Sequence, residues 1–261
     1  METRFNLIKR VMWISALVTM SIFLSGSKVP DKEKPKELPV KNTVTTQTLS
    51  GQWKLATDPE NRGRDEGWFN GIRPESKEAV VPGVIQQVFP GYHGVAWYWH
   101  SFSPDFSRSS RDRVLIRFGA VDYLADVWIN GKHAGTFEGG ETPFEFDVTN
   151  SLQTEGYNLL AVRVLNTTYK NINGYVLKET PSRHKAEAKA GATFNCGGIV
   201  SPVELRLVPA TYITDVFVRP DIKTGNIGVT VAVQNTGTAT TNGTLDLAVV
   251  PASGGDIIQE V

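Results

Sequence analysis

Apolar and polar side chains alternate along much of the chain beyond residue 50, with the period of two that is typical of β-strands. The alternation is clearest over Val114–Phe118, Leu160–Leu165 and Val203–Leu207. In the last segment the apolar positions are separated by Glu204 and Arg206, which indicates one buried face and one face toward water. No long segment beyond the N-terminal region carries a convincing apolar stripe of helical period. We therefore predict an all-β protein.

Turn sequences separate the predicted strands. Asn130-Gly131 follows an apolar run and suits a two-residue hairpin turn, because both residues tolerate positive φ. Many short strands joined by glycine- and proline-containing turns favour an antiparallel sandwich. The stretch up to Pro209 is long for an immunoglobulin unit of about 100 residues and suits a jelly roll with long loops. We predict a jelly-roll sandwich over residues 48–210.

A second unit is predicted over residues 211–261. Its expected strands are Ile213–Val218, Ile227–Val233 and Leu245–Val250, with a fourth starting at Ile257. An immunoglobulin-like sandwich contains about seven strands. We therefore expect an incomplete immunoglobulin-like sandwich domain at this end of the chain.

The first 27 residues have the features of a bacterial export signal. Lys9 and Arg10 form a positive region, and the apolar run Val11–Leu24 follows it. Small residues, including Ser27, then suit cleavage. The apolar run is shorter than the about 20 residues that a membrane-spanning helix needs. We predict a signal peptide over residues 1–27 and export to the periplasm or the extracellular space, with an uncleaved anchor or a buried helix as alternatives.

The next segment, residues 28–47, combines three prolines with five lysines and has almost no large apolar side chains. Such a segment cannot bury enough apolar surface to offset the entropy cost of ordering its backbone. We predict a disordered linker, and a charged recognition arm is the alternative.

The charge balance limits the possible partners. Twenty-seven basic side chains match 27 acidic ones, so no long-range field favours nucleic acid or an anionic membrane surface. The lone Cys196 has no internal disulfide partner, and the four histidines are scattered without metal-ligand spacing. We expect no metal, no cofactor, no nucleic-acid partner and no membrane contact beyond the signal segment.

A set of short motifs resembles the N-terminal sugar-binding jelly-roll domain of glycoside hydrolase family 2, the β-galactosidase, β-mannosidase and β-glucuronidase group. Each motif is weak alone, but their common order along the chain makes the resemblance specific. The motifs are Gly51–Leu55, Val81-Pro82-Gly83, Trp97-Tyr98-Trp99, Val121-Asp122-Tyr123, Val127–Gly131, Gly139–Phe144 and Gly197–Val203.

The resemblance implies hydrolysis of O-glycosidic bonds by the whole enzyme, with two catalytic carboxylates in a later (β/α)₈ barrel of about 250 residues. The sequence ends at Val261. We therefore expect no catalytic residue in it, and we expect a catalytic barrel encoded downstream as its partner.

The loop before Gly198 is the part of this domain that reaches the sugar pocket in active members of the family. An Asp that contacts sugar hydroxyls commonly stands there, whereas this chain has Ala192. Phe194 and Asn195 remain on the loop and are our carbohydrate-binding candidates, by stacking and hydrogen bonding. Trp68 and Tyr92 are the further aromatic candidates.

Other chemistry-bearing residues have an ordinary structural interpretation. Trp97 and Trp99 could stack on a sugar, but we expect them to fill a sandwich core. Glu138 and Glu141 flank a glycine turn and could pair as acid and base, but we expect solvated loop charges.

Three functions follow from these observations. The first is the non-catalytic N-terminal β-domain portion of an exported family 2 glycoside hydrolase. The second is a stand-alone secreted carbohydrate-binding module, and the third is a structural β-domain that supports a partner. The expected partner is a carbohydrate, a β-glycoside.

Overall fold

The structure, a computed structural model, describes residues 15–22, 44–177, 195–237, 240, 242, 245–249 and 259–260. It divides into two compact units, one of residues 44–207 and one that combines residues 1–43 with 208–261. The described residues form β-strands and two short 3₁₀ turns, Trp68–Asn70 and Ile85–Gln87, and they contain no α-helix. Within these ranges, no helix has the length and apolar character to cross a membrane.

The strands of both units are numbered in chain order. They are β1 (Ser15–Ile22), β2 (Thr45–Thr48), β3 (Gly51–Thr57), β4 (Lys77–Val81), β5 (Gly94–Phe102), β6 (Arg113–Phe118), β7 (Val121–Asp122), β8 (Leu124–Ile129), β9 (Lys132–Glu138), β10 (Phe144–Asp147), β11 (Asn158–Asn166), β12 (Gly198–Ile199), β13 (Val203–Val208), β14 (Thr211–Asp221), β15 (Asn226–Asn235), β16 (Ala248–Val249) and β17 (Gln259–Glu260).

Residues 44–207 form an antiparallel sandwich. One sheet has six strands in the order β4-β3-β5-β11-β8-β9, and the other has four in the order β10-β6-β13-β2. Apolar side chains from both sheets, such as Leu55, Tyr98, Ile116 and Leu205, are buried together in one core cluster. The short strands β12 and β7 pair in a separate two-stranded ladder. The predicted all-β sandwich is confirmed.

The central strands β5, β11 and β8 of the six-stranded sheet are buried on both faces. Trp97 and Trp99 alternate with Tyr98 along β5, so the tryptophans point away from the sandwich core while Tyr98 points into it. Trp68 and Trp128 cover the two tryptophans on this outer face and form a second apolar cluster with them. The expected core role of Trp97 and Trp99 is confirmed, because both are fully buried.

The predicted hairpin turn is present between β8 and β9. Asn130 and Gly131 have φ values of 51° and 77°, the conformation that this turn requires. The Asn130 amide also donates to the Ser151 carbonyl at 2.9 Å and to Asn158 Oδ1 at 2.8 Å. Asn130 therefore both makes the turn and ties it to the start of β11.

The second unit contains a three-stranded sheet in the order β1-β15-β14 and the short pair β16-β17. Val229 and Val231 of β15 are buried against partly buried neighbours that include Leu245 and Leu247. The expected strands at Ile213–Val218 and Ile227–Val233 are present within β14 and β15. Of the third expected strand, residues 245–247 lie outside a ladder and Ala248–Val249 form β16, while Val250 is outside the described residues.

Two described strands, β1 and β2, include residues of the predicted signal peptide and linker. β1 lies within the predicted signal peptide and pairs antiparallel with β15. β2 begins at Thr45, inside the end of the predicted linker, and pairs with β13. The linker before residue 44 lies outside the described residues. The assignment of a signal peptide and a linker therefore stays a prediction.

Candidate functional site

Several strands of the six-stranded sheet end at one edge of the sandwich. Antiparallel pairing places Asn166, the last residue of β11, opposite Gly94, the first residue of β5. It also places Leu165 opposite Leu124, and Leu124 opposite Glu138. We call this edge, with the adjoining residues 92–93, 122–123, 138–141, 166–167 and 195–198, the Asn166 end. It collects polar side chains from segments that are far apart in sequence.

Asn166 is the centre of a hydrogen-bonded network at this end. Its side chain is fully buried, and its Nδ2 donates to Asn195 Oδ1 at 2.8 Å. Its Oδ1 accepts from Gln86 Nε2 at 3.0 Å and lies 2.8 Å from His93 Nδ1. Because a carbonyl oxygen only accepts, an Nδ1–H of His93 is the donor in this contact. Asn195 Nδ2 in turn donates to the Thr167 carbonyl at 2.8 Å.

The predicted sugar contact Asn195 is therefore turned toward the protein. Both polar atoms of its side chain have a protein partner, and the residue is half-buried. Asn195 Nδ2 also lies 3.5 Å from His93 Nδ1. One acceptor lone pair of Asn195 remains for a ligand. Asn195 fixes the backbone of its segment at the Asn166 end whether or not it also meets a sugar.

Backbone contacts hold the residues that follow Asn195. The amide of Ile85 donates to the Gly197 carbonyl at 2.8 Å, and the amide of Gly83 donates to the Ile199 carbonyl at 2.8 Å. The close approach leaves no room for a side chain, since a Cβ on Gly197 would lie 2.4 Å from Asn166 Cβ. The glycine at position 197, part of a sequence motif, is thus explained by packing.

We expect Gly197→Ala to destabilise the sandwich by about 1–3 kcal/mol, because the added methyl group displaces Asn166 from its network. Urea unfolding followed by tryptophan fluorescence measures this. Gly71→Ala is the control, because no atom lies within 4 Å of a Cβ placed there and its backbone is extended. The control should change stability by less than about 0.5 kcal/mol, and an equally small effect at Gly197 contradicts the packing argument.

Tyr92, a predicted aromatic candidate, also lies at this end. Its hydroxyl donates to the Val95 carbonyl at 2.6 Å, and its carbonyl accepts from Gln86 Nε2 at 2.7 Å. Burial, with a smaller contribution from the Asp58 carboxylate, raises the pKa of Tyr92 to about 12. The ring packs against the sandwich core. Tyr92 therefore supports the end of the sheet, and its hydroxyl is already engaged.

Trp68 lies apart from these residues. It covers the outer face of the six-stranded sheet, with its ring centroid 6.2 Å from that of Trp97 and 6.4 Å from that of Trp99. The side chain is 8% exposed, and the Arg73 guanidinium lies over its ring at 4.9 Å. The structure thus brings together Tyr92 and Asn195 and places Trp68 elsewhere. Phe194 and Ala192 lie outside the described residues.

Two tyrosines that sequence reasoning did not select stand at the same end. The Tyr123 hydroxyl donates to Glu138 Oε1 at 2.5 Å, and the Tyr175 hydroxyl donates to Glu138 Oε2 at 3.2 Å. Glu141 is exposed on a loop, as expected, whereas Glu138 is exposed but ends strand β9 and accepts these two hydrogen bonds. Burial, with the nearby Glu141, raises the pKa of Asp122. Tyr123 directly precedes β8, and it comes beside Glu138 only through the register between β8 and β9, so the sequence pattern alone did not indicate this contact.

A buried charge network lies on the outer face, next to the tryptophans. Asp126 of β8 and Arg163 of β11 are opposite each other in the sheet, with Arg163 Nη1 3.1 Å from Asp126 Oδ2. Arg64 also pairs with Asp126 Oδ2, and Asn61 Oδ1 accepts from Arg163 Nη2 at 2.6 Å. Burial, with the charge of Arg64, lowers the pKa of Arg163, and Asp126 opposes that shift. The network ties the loop at residues 58–71 to the sheet.

Metal chemistry has no geometric support in the described ranges, where no three His, Cys, Asp or Glu side chains are placed to hold an ion. Cys196 is exposed, and its thiol is free within the part of the chain that the structure describes.

A comparison with protein families identifies the family of this chain. The family model described as "Glycosyl hydrolases family 2, sugar binding domain" matches residues 46–209. The chain belongs to glycoside hydrolase family 2. The matched segment contains nearly all of the two-sheet sandwich and the Asn166 end, so the resemblance in the sequence motifs is confirmed.

Several individual relatives of this family 2 chain are β-glucuronidases, and one is a β-galactosidase from Thermoanaerobacter pseudethanolicus, 34% identical over 48% of this chain and 15% of that protein. A β-glucuronidase from Paenibacillus borealis is 27% identical over 202 residues, which are 72% of this chain and 34% of that protein. A solved β-glucuronidase from Ruminococcus gnavus has a TM-score of 0.65 at 22% identity and covers 88% of this chain and 38% of its own. A solved β-glucuronidase from Bifidobacterium dentium, complexed with coumarin-3-O-glucuronide, has a TM-score of 0.54 at 28% identity and covers 72% of this chain and 33% of its own.

The family 2 chain thus spans about a third of the length of these β-glucuronidases. The similarity includes the β-sandwich that carries the candidate site.

Proposed function

We propose that this chain is the non-catalytic N-terminal portion of an exported family 2 glycoside hydrolase that acts on β-glycosides, with β-glucuronides as the first candidates. Hydrolysis belongs to a catalytic barrel encoded downstream, and this portion supplies one wall of the sugar pocket. The observation that supports the proposal most is the match of residues 46–209 to the sugar-binding domain of the family. The names of the relatives supply the choice of β-glucuronides.

The Asn166 end is where we place the contact with the sugar. The segment that carries Asn195 is held there by Asn166 and by the backbone of Gly83 and Ile85. A fixed backbone loses little entropy when a ligand binds, which favours recognition by a wall of this kind. The exposed carboxylates and the tyrosines of the same end add polar groups that can meet hydroxyls.

The free energy of sugar binding that this wall provides by itself is small. Stacking on one aromatic ring contributes about 1 kcal/mol, whereas millimolar affinity requires about 4 kcal/mol. Asn195 has only part of its hydrogen-bonding capacity free. We therefore expect the purified chain to bind a monosaccharide with a dissociation constant weaker than about 1 mM.

A titration of the isotope-labelled chain with methyl β-D-glucuronide, followed by backbone amide NMR, tests this. We expect non-saturating shifts that cluster at Gly94, Asn166, Asn195 and Gly197, and no release of the aglycone from a nitrophenyl β-glucuronide. Shifts at the Trp68 face alone contradict the placement of the site. Micromolar binding favours the alternative, a stand-alone carbohydrate-binding module, and overturns the shared-pocket proposal.

Export is part of the same proposal and depends on the predicted signal peptide. It is checked by the N-terminal sequence of protein recovered outside the cytoplasm, which should begin at Lys28. Recovery of the chain with Met1 intact contradicts it.

A further inference from the structure

Tyr123, Glu138 and Tyr175 form a cluster with a defined shape. The two ring centroids are 6.2 Å apart, and the ring planes meet at 68°. The Glu138 carboxylate accepts from both hydroxyls, one on each oxygen. Each tyrosine is half-buried, and each packs on its inner side against the tryptophan cluster of the outer face. The rings are therefore fixed in place while part of their surface faces solvent.

The chemistry of this cluster suits a carbohydrate unit. The C–H face of a pyranose packs on an aromatic ring, and its hydroxyls need acceptors held at fixed positions. Glu138 has two oxygens, each with a lone pair beyond the one that a tyrosine uses. An aromatic side chain that is already ordered loses little conformational entropy on binding.

The charge near the cluster selects among carbohydrates. The hydrogen bond to Glu138 raises the pKa of Tyr123, and the Asp122 carboxylate adds to that rise. Glu141 lies close enough to Asp122 to raise the pKa of that carboxyl, after burial. Partial burial raises the pKa of Tyr175, and the positive charge of Arg64 opposes that rise. Arg64 is already paired with Asp126. A uronate carboxylate beside these acidic groups is repelled, whereas a neutral hydroxyl is not.

We propose that Tyr123, Tyr175 and Glu138 form a contact site for a neutral, hydroxyl-bearing saccharide unit. The inference rests on the proposed function, because it names a second part of the same sugar-binding end. If the natural substrate is a β-glucuronide, the unit held at this site is a neutral saccharide in the aglycone, the group to which the glucuronyl ring is linked. The charged sugar ring then lies toward Asn195.

The test compares two probes on the whole chain at low salt, with the aromatic ring protons observed by NMR. The probes are methyl β-D-glucopyranoside, which is neutral, and methyl β-D-glucuronide, which is anionic. We expect the neutral probe to shift the Tyr123 and Tyr175 ring signals and to bind there at least about threefold more tightly than the anionic probe.

Variants separate a contact from a structural role. Tyr175→Ala should weaken binding of the neutral probe about fivefold, while Tyr175→Phe keeps the ring and retains most of the affinity. Glu138→Gln should bring the affinities for the neutral and the anionic probe closer together, since it removes a negative charge with little change of side-chain shape. Tyr157→Ala is the matched control, because Tyr157 is 78% exposed and directly precedes β11, at the opposite end of that strand from Asn166. The fold of each variant is checked by the dispersion of its amide spectrum.

Equal or tighter binding of the anionic probe at these rings overturns the inference, as does unchanged affinity in a folded Tyr175→Ala variant. Shifts at Asn195 and Gly94 without any at the two tyrosines overturn the inference and leave the proposed function standing. The absence of shifts anywhere at the Asn166 end contradicts both.

Discussion

Asp126→Ala is expected to destabilise the sandwich by about 3–5 kcal/mol. Asp126 is 1% exposed, and its carboxylate faces the fully buried Arg163. When the carboxylate is removed, the guanidinium of Arg163 stays buried. Of the acceptors in this network, the Asn61 amide oxygen is then the one that remains for it. Urea unfolding followed by tryptophan fluorescence reports the loss, because five of the six tryptophans lie in residues 44–207.

The control for this prediction is an ion pair on the other sheet. Arg117 and Glu204 are 3.6 Å apart and 40% and 33% exposed at their side chains, so Glu204→Ala should cost no more than about 1 kcal/mol. Asp126→Asn retains the side-chain shape and removes the charge. Its loss of stability should lie between those of Asp126→Ala and Glu204→Ala. Similar losses for Asp126→Ala and Glu204→Ala refute the role assigned to the buried network.

Trp97→Ala should cost about 3–5 kcal/mol, because it opens a cavity among fully packed aromatic rings. The Trp97 ring centroid is 5.1 Å from that of Trp128, and its indole Nε1 donates to Asp58 Oδ2 at 3.0 Å. Asp58 in turn accepts from the backbone amides of Arg62 and Gly63, so the indole also helps to order that loop. Thermal unfolding followed by far-ultraviolet circular dichroism measures the change without depending on the missing chromophore.

Trp97→Phe retains a ring and loses the indole donor, and it should therefore cost less than the alanine variant. If alanine at position 97 lowers stability by less than about 1 kcal/mol, Trp97 is not the packed centre of the outer face. Such a result then favours an exposed sugar-stacking role over the core role.

The strands and turns of the sandwich follow from local sequence pattern. Alternation at Val114–Phe118 and Val203–Leu207 predicts β6 and β13, and Asn130-Gly131 predicts the hairpin. These features depend on neighbours in sequence, so a single chain carries enough information to find them. The packing of Trp97 and Trp99 was predictable for the same reason, since alternate positions share a face.

The candidate site depends on contacts between distant segments. Arg163 alternates with apolar residues and resembles a solvent-facing position, yet the side chain is fully buried and bonded to Asn61 of a distant loop. Asn166, His93 and Asn195 meet only after β5 and β11 have paired in their particular register. A shift of one residue turns each side chain to the opposite face. The pattern of a strand does not specify that register, so the network was not predictable from it.

The pairing of β2 with β13 has a consequence for how the sandwich folds. Thr48 lies opposite Glu204, and Thr45 opposite Leu207, so the first and last strands of this unit are neighbours. β13 also separates β2 from β6 in the four-stranded sheet. During synthesis, β6 therefore keeps an open edge until β13 has left the ribosome, and such edges promote association between chains. Closure of the sandwich is a late and non-local event, which makes its folding slow relative to the formation of its hairpins.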